Sequence, residues 1–269
     1  MYHIDYHTHS SCSPDADSSM SLLARAAICA GLDELCITDH IDLLDYDVSP
    51  VRTHDWAPAR EQFAAARERY GDQLILRFGV ELGEATEDFE AAARILGAAP
   101  ELDFVLGSIH NTAPQFGRRD FYFLESEREE TCRAMSEAYL EELLLLAEKG
   151  DYDALSHVTL PLRYFRHNLG LDLSFGRYTE ELRAIFTAAV RRGKGIELNT
   201  NCGKDNPLPG RDELLLYRAC GGEIITVGSD AHDPRHVGAW NEEALDLLRD
   251  CGFHYITAFE RRTPVFHKI

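Results

Sequence analysis

The chain carries no CxxC pair. Its seven cysteines (Cys12, Cys29, Cys36, Cys132, Cys202, Cys220 and Cys251) form an odd, scattered set that fits reduced thiols in a cytoplasmic setting. No basic segment followed by an apolar run opens the sequence, so a secretory leader is not expected. Long hydrophobic runs are missing too. The longest purely apolar stretch, LLLLA at 143–147, is far too short to span a bilayer. Positive charge is scarce: 27 Lys and Arg face 46 Asp and Glu, for a net charge of −19. That balance argues against a nucleic-acid or anionic-membrane surface, because phosphate backbones demand clustered cations. It also means that an anionic substrate would need a local reversal of the field. There is no internal repeat, no low-complexity tract and no G-x-S-x-G elbow for a serine nucleophile.

What is present is a regular alternation. Short apolar or β-branched runs at 3–7, 35–39, 74–81, 103–109, 153–158, 195–200 and 223–230 read as strands. Helical patterns lie between them, such as SLLARAAICA, APAREQFAAARERY, ETCRAMSEAYLEELLLLAEK, TEELRAIFTAAVRR and EEALDLLRDC, each followed by a glycine expected to end it. Near-continuous apolar strands alternating with amphipathic helices predict a parallel sheet covered by helices. Seven such units without a linker, in 269 residues that are 45% hydrophobic, favour one α/β domain over residues 1–269, closed or nearly closed into a barrel. An open doubly wound sheet is the alternative. The tail ITAFERRTPVFHKI is a candidate closing strand.

Polar residues sit at the C-terminal ends of these strands. His7 and His9 end the first, His40 the second, Glu81 the third, His110 the fourth, His157 the fifth, and Asp230 and His232 the seventh. The sixth ends in Asn199 and Asn201. In a barrel these ends converge on one face, where active sites are built. A lone buried His is more often a hydrogen-bonded core residue, and HxH alone arises by chance. Six strand ends with the same bias are not independent accidents. Imidazole and carboxylate without thiolate suit Zn, Mn or Fe as divalent ions. The tally, with Asp15 from the first loop, exceeds one tetrahedral site and suits two or three ions bridged by a carboxylate. Three ions would set six positive charges against three ligand carboxylates, an excess of about three, enough to hold a phosphate dianion. His3, His54, His167, His236, His254 and His267 are read as surface or core, with His236 close enough to the DAHDP turn to support a ligand. Asp5 shares the register of His7 and His9, so it either orients an imidazole or makes an ordinary core hydrogen bond. Cys12 is read as site wall.

The ordered motifs HTH, ITDH, GVELGE, LGSIH, SHVTLPLRY, ELNTN and GSDAH resemble those of the PHP (polymerase and histidinol phosphatase) superfamily, and within it the stand-alone histidinol-phosphatase branch. The resemblance spans essentially the whole chain. It implies a TIM-like, distorted (β/α)7 barrel with outer helices and a trinuclear site. By the same resemblance His7, His9, Glu81 and Asp230 hold one ion, and Glu81, His110 and His157 the second. Asp15, His40 and His232 hold the third, with Asp17 a rival to Asp15, since some relatives have His in this loop. Arg163 in SHVTLPLRY is the expected phosphate clamp, its fork gripping two oxygens; Arg118, Arg119 and Arg166 are rivals. The implied reaction is metal-assisted phosphomonoester hydrolysis, with L-histidinol phosphate as substrate and a metal-bound water, Asp15 or His232 as proton donor to the leaving group. Glu84 and Asp42 are candidates for recognising a cationic substrate group. The competing readings are an amidohydrolase barrel, which lacks its usual Lys after the fourth strand here, a superfamily nuclease, and a non-catalytic metal-dependent binding protein. Oligomeric state is not legible.

Overall fold

A parallel strand buried on both faces needs apolar side chains throughout, and that is how the central runs of this chain are built. The computed structural model describes residues 1–269. Its strands in chain order are β1 (Ile4–Asp5), β2 (Glu34–Ile37), β3 (His40–Asp42), β4 (Ile75–Gly83), β5 (Phe104–Ser108), β6 (Ala154–Leu155), β7 (Gly195–Asn199) and β8 (Ile225–Gly228). Helices α1 (Met20–Ala30), α2 (Ala57–Tyr70), α3 (Phe89–Gly97), α4 (Glu129–Lys149), α5 (Leu160–Leu169), α6 (Thr179–Arg191), α7 (Arg211–Ala219) and α8 (Asn241–Asp250) intervene.

The eight segments form one parallel sheet in the order β1-β2-β4-β5-β6-β7-β8, with β3 paired to β4. β3 continues β2 in unbroken register, since Ile37 faces Phe78 and His40 faces Glu81. Eight segments therefore occupy the seven strand positions expected. The last position meets the first: the Tyr6 N–H donates to the Val227 carbonyl at 2.9 Å, and Thr8 bridges Ala231 in parallel. The open doubly wound alternative is thereby excluded. A contiguous cluster of 67 buried apolar residues fills the barrel and its helix interfaces.

Two expectations need correction. Gly31 takes φ 76, the left-handed stop foreseen for α1, but Gly71 and Gly150 have φ −63 and −64 and end their helices without it. The tail is not a closing strand of the barrel. Strands β9 (Tyr255–Glu260) and β10 (Thr263–Lys268) pair with each other as an antiparallel hairpin. The hairpin packs under the N-terminal strand ends, where Phe259 meets Tyr6 and Phe104, and Arg262 pairs with Asp151 and Asp153.

Candidate metal centre

β4 is the longest barrel strand and carries Glu81, fully buried, into the centre of the opposite face. Its two oxygens face different groups. Oε2 lies 3.0 Å from His7 Nε2, 3.6 Å from His9 Nε2 and 3.1 Å from His40 Nδ1. Oε1 lies 3.1 Å from His110 Nε2 and 3.0 Å from His157 Nε2, and accepts the Ser108 hydroxyl at 2.6 Å. Asp230 Oδ1 approaches His9 Nε2 at 3.4 Å and His7 Nε2 at 3.7 Å. Asp15 Oδ2 is 3.0 Å from His232 Nε2 and 3.6 Å from His40 Nε2. All nine ligand candidates thus meet on one face, drawn from six strand ends and one loop. Asp17 is exposed and contacts none of them, so the first loop presents Asp15.

The donor set fits divalent ions. Two ligand atoms each about 2.1 Å from one ion, at a tetrahedral angle, sit about 3.4 Å apart. The separations above cluster around that value. More telling, His7 Nε2, His9 Nε2, His40 Nδ1 and Glu81 Oε2 are buried without any hydrogen-bond partner, the short distances notwithstanding. Leaving four buried polar atoms unpaired costs about 1–3 kcal/mol each. Shared cations would satisfy all four. Four compact donor groups stand out: His7, His9 and Asp230; His7, Glu81 and His157; His9, His40 and His232; and His40, Asp42 and His110, the last of which includes a carboxylate outside the expected ligand set. His9 thus stands closer to the third group than the implied ligand sets assign it, its ring stacked on both His40 and His232 at 4.2 and 4.1 Å.

Electrostatics follow from this crowding. Burial alone would favour a neutral Asp230, but His7 and Arg163 outweigh it and hold its carboxyl well below the usual range. Glu81 is likewise lowered, its desolvation overcome by His7, His40 and His110. His9 is pushed down, by burial first and then by His40 and His232 beside it. Two candidates sit on left-handed backbone, His157 at φ 20 and Asp230 at φ 54, a conformation that non-glycine residues adopt mainly where function over-determines it.

The supporting groups differ in part from expectation. Asp5 accepts from the backbone N–H of His7, Ser229 and Gly238 and from the Ser229 hydroxyl. It therefore seams β1 to β8 and touches no imidazole. Glu84 is buried behind the site, where its carboxylate accepts the His110 and Asn111 N–H groups at 2.5 and 3.2 Å, so it is not a substrate contact. Asp42 pairs with His110 Nδ1 at 3.2 Å and also lines the cavity. Cys12 packs near Gln62, outside the main cavity, and His236 does not line it either. Glu197, on the strand expected to contribute only Asn residues, is fully buried and accepts from His7 Nδ1 at 2.7 Å. Its sequence signal was a carboxylate inside the apolar run GIELN, where an unpaired charge does not belong.

A cavity of about 1480 Å³ opens above the cluster. Arg163, on the first turn of α5, projects into its wall. Nη1 donates to Asp230 Oδ2 and Nη2 to Asn199 Oδ1, both at 2.9 Å, while Nε reaches Cys202 Sγ at 3.2 Å. Two of its five N–H bonds remain for a ligand. Arg118 and Arg119 are paired to Glu87 and Glu127 and do not line the cavity; Arg166 lines its outer part, paired to Asp172.

Known proteins share this fold. The structure superimposes on that of histidinol phosphate phosphatase from Lactococcus lactis, complexed with zinc, L-histidinol and phosphate, with a TM-score of 0.81 at 22% identity over 98% of both chains. In sequence, a histidinol-phosphatase of the same organism is 25% identical, covering 96% of this chain and 95% of its own. A probable histidinol-phosphatase of Thermotoga maritima is 27% identical, covering 94% of each. The PHP domain family model matches residues 5–201, most of the barrel, and the chain therefore belongs to the PHP domain family.

Proposed function

We propose that the chain, acting as one catalytic unit over residues 1–269, is a metal-dependent phosphomonoesterase that hydrolyses L-histidinol phosphate to L-histidinol and phosphate, a step of histidine biosynthesis. One observation carries the reading: Glu81 presents one oxygen to His7, His9 and His40 and the other to His110 and His157, as a carboxylate bridging two ions would. His7, His9, Asp15, His40, Glu81, His110, His157, Asp230 and His232 would hold two or three ions, zinc among them in the Lactococcus lactis complex and Mn or Fe equally suited to the donors. When bound, such ions acidify the attacking water and neutralise phosphate charge.

The chain's own residues supply the rest. Arg163, held by Asp230 and Asn199, offers its two free N–H bonds to non-bridging phosphate oxygens and strengthens that contact as charge builds in the transition state. The water oxygen bonds to phosphorus as the ester oxygen leaves in line. That oxygen takes up the proton released by the attacking water, relayed by Asp15, whose Oδ2 stands 3.0 Å from His232 Nε2 on the partly open cavity wall and whose second oxygen is left to carry it. His232 Nδ1 is engaged by the Asp230 carbonyl at 3.1 Å, so only its Nε2 faces the site. Around the mouth, Tyr46, Tyr122, Phe123 and Tyr164 offer aromatic faces and edges, and Asp42 and Asp120 add negative charge. That lining suits the imidazole and ammonium of histidinol phosphate. The seven free cysteines support a cytoplasmic setting.

The test is a kinetic comparison of L-histidinol phosphate with a panel of phosphomonoesters, with metal content assayed on the same sample. The substrate should exceed the panel in kcat/KM, and Glu81→Ala should lose both turnover and metal. Equal rates across the panel would reduce the reading to a general phosphoesterase. Normal turnover and metal in Glu81→Ala would defeat the bridge.

A further inference from the structure

We infer that Glu197, which is not among the ligand candidates, is a positioning residue for the cluster: it fixes the tautomer and orientation of His7 and anchors the turn that carries His157. The inference rests on the reading of those two histidines as metal ligands. Glu197 sits mid-strand on β7, fully buried. Its Oε1 lies 2.7 Å from His7 Nδ1, and its Oε2 accepts the backbone N–H of His157 at 2.8 Å and Asn199 Nδ2 at 3.2 Å.

Glu197 Oε2 already accepts two N–H groups, and the 2.7 Å contact of Oε1 places a third donor, the Nδ1–H of His7, on the same side chain. The lone pair of a neutral ring is then on Nε2, the unpartnered atom that faces Glu81 and Asp230. A second-sphere carboxylate of this kind both orients an imidazole and raises its basicity. The other oxygen acts on backbone. His157 lies at φ 20, and its N–H is held by Glu197, so the side chain that sets His7 also restrains the strained turn behind His157. Asn199 extends the chain of contacts to Asp230 Oδ2 at 3.3 Å and to Arg163. Space for the pair is made by Gly228 on β8, where a Cβ would fall 2.1 Å from Glu197 Oε1 and 2.4 Å from His7 Cβ. The strand without a ligand thus supports ligands from two others.

Glu197→Gln keeps the shape but changes the donors. With its oxygen toward His7, the amide nitrogen faces two donors, His157 N–H and Asn199 Nδ2. Flipped, it forces the proton of His7 onto Nε2 and removes that lone pair. Zinc affinity of the folded variant, measured by competition with a chromophoric chelator, should fall about 10- to 100-fold. In ring ¹H–¹⁵N spectra of the zinc-loaded parent, His7, assigned with His7→Gln, should show Nδ1 protonated and Nε2 bound to zinc. Parent-like zinc affinity in Glu197→Gln would overturn the inference, as would zinc on Nδ1 of His7. The spectra decide the point even where the variant does not fold. A parent protein that binds no zinc, Mn or Fe would instead defeat the metal-centre reading itself.

Discussion

Arg163 has three of its five N–H bonds engaged inside the protein, and this division sets what its loss should do. Arg163→Ala removes the charge facing the substrate and also leaves Asp230 Oδ2 without its guanidinium. KM should therefore rise and kcat fall together, lowering kcat/KM about 10²- to 10⁴-fold if the two phosphate contacts contribute about 1.5–3 kcal/mol each. Arg163→Lys should recover little, because an ammonium cannot reproduce the fork. Steady-state kinetics on both variants check this; an unchanged KM would confine Arg163 to holding Asp230. At this scale the sequence was legible wherever chemistry stood at a strand end, as with His110 or Asp230. It left Asp5 open between orienting an imidazole and a core hydrogen bond, and pointed Glu84 at a substrate cation, because both carboxylates turn to backbone N–H groups that only the fold brings near.

Among the elements, α4 carries Glu142 in a half-buried position near Glu87. Burial first, then repulsion from Glu87, raise its pKa to about 7 from an ordinary 4.5. The folded state then binds more protons than the unfolded state between those values. Stability from this group is present below about pH 4.5 and is lost as pH rises to 7 and beyond. Glu142→Gln should match the parent in urea unfolding near pH 4.5 and exceed it near pH 7.5; parallel curves across that range would contradict the shift. Element boundaries were the less readable part of the sequence. The glycines after α2 and α4 looked like those after α1 and α6, yet only the latter pair adopt positive φ. The tail had strand-like composition, but whether it joined the barrel or paired with itself depended on partners far away in the chain.

For the whole molecule, the two ends of the barrel have separate duties. The hairpin closes the end opposite the cluster, and Phe259→Ala would strip an aromatic ring from Tyr6 and Phe104. A loss of about 3–5 kcal/mol should lower Tm by about 6–20 °C. The kcat at 25 °C should hold, and a kcat that fell with Tm would couple the hairpin to the site. Chelation should do the reverse. EDTA should abolish turnover and lower Tm by removing bound ligand, yet leave the far-UV circular dichroism of the 67-residue core intact at 25 °C. Collapse of that signal would show that the ions hold the fold together.

Periodicity, apolar runs and the placing of His and carboxylate at strand ends were enough, on sequence alone, to specify a parallel barrel with a polar face, because hydrophobic patterning and strand polarity are local properties. Tertiary structure alone decided the rest: that β2 and β3 share one register, that Asp15 rather than Asp17 meets His232, and that Glu197 lies against His7. Those choices depend on distances between residues up to 217 positions apart, as for Asp15 and His232, and such distances exist only once the barrel has closed.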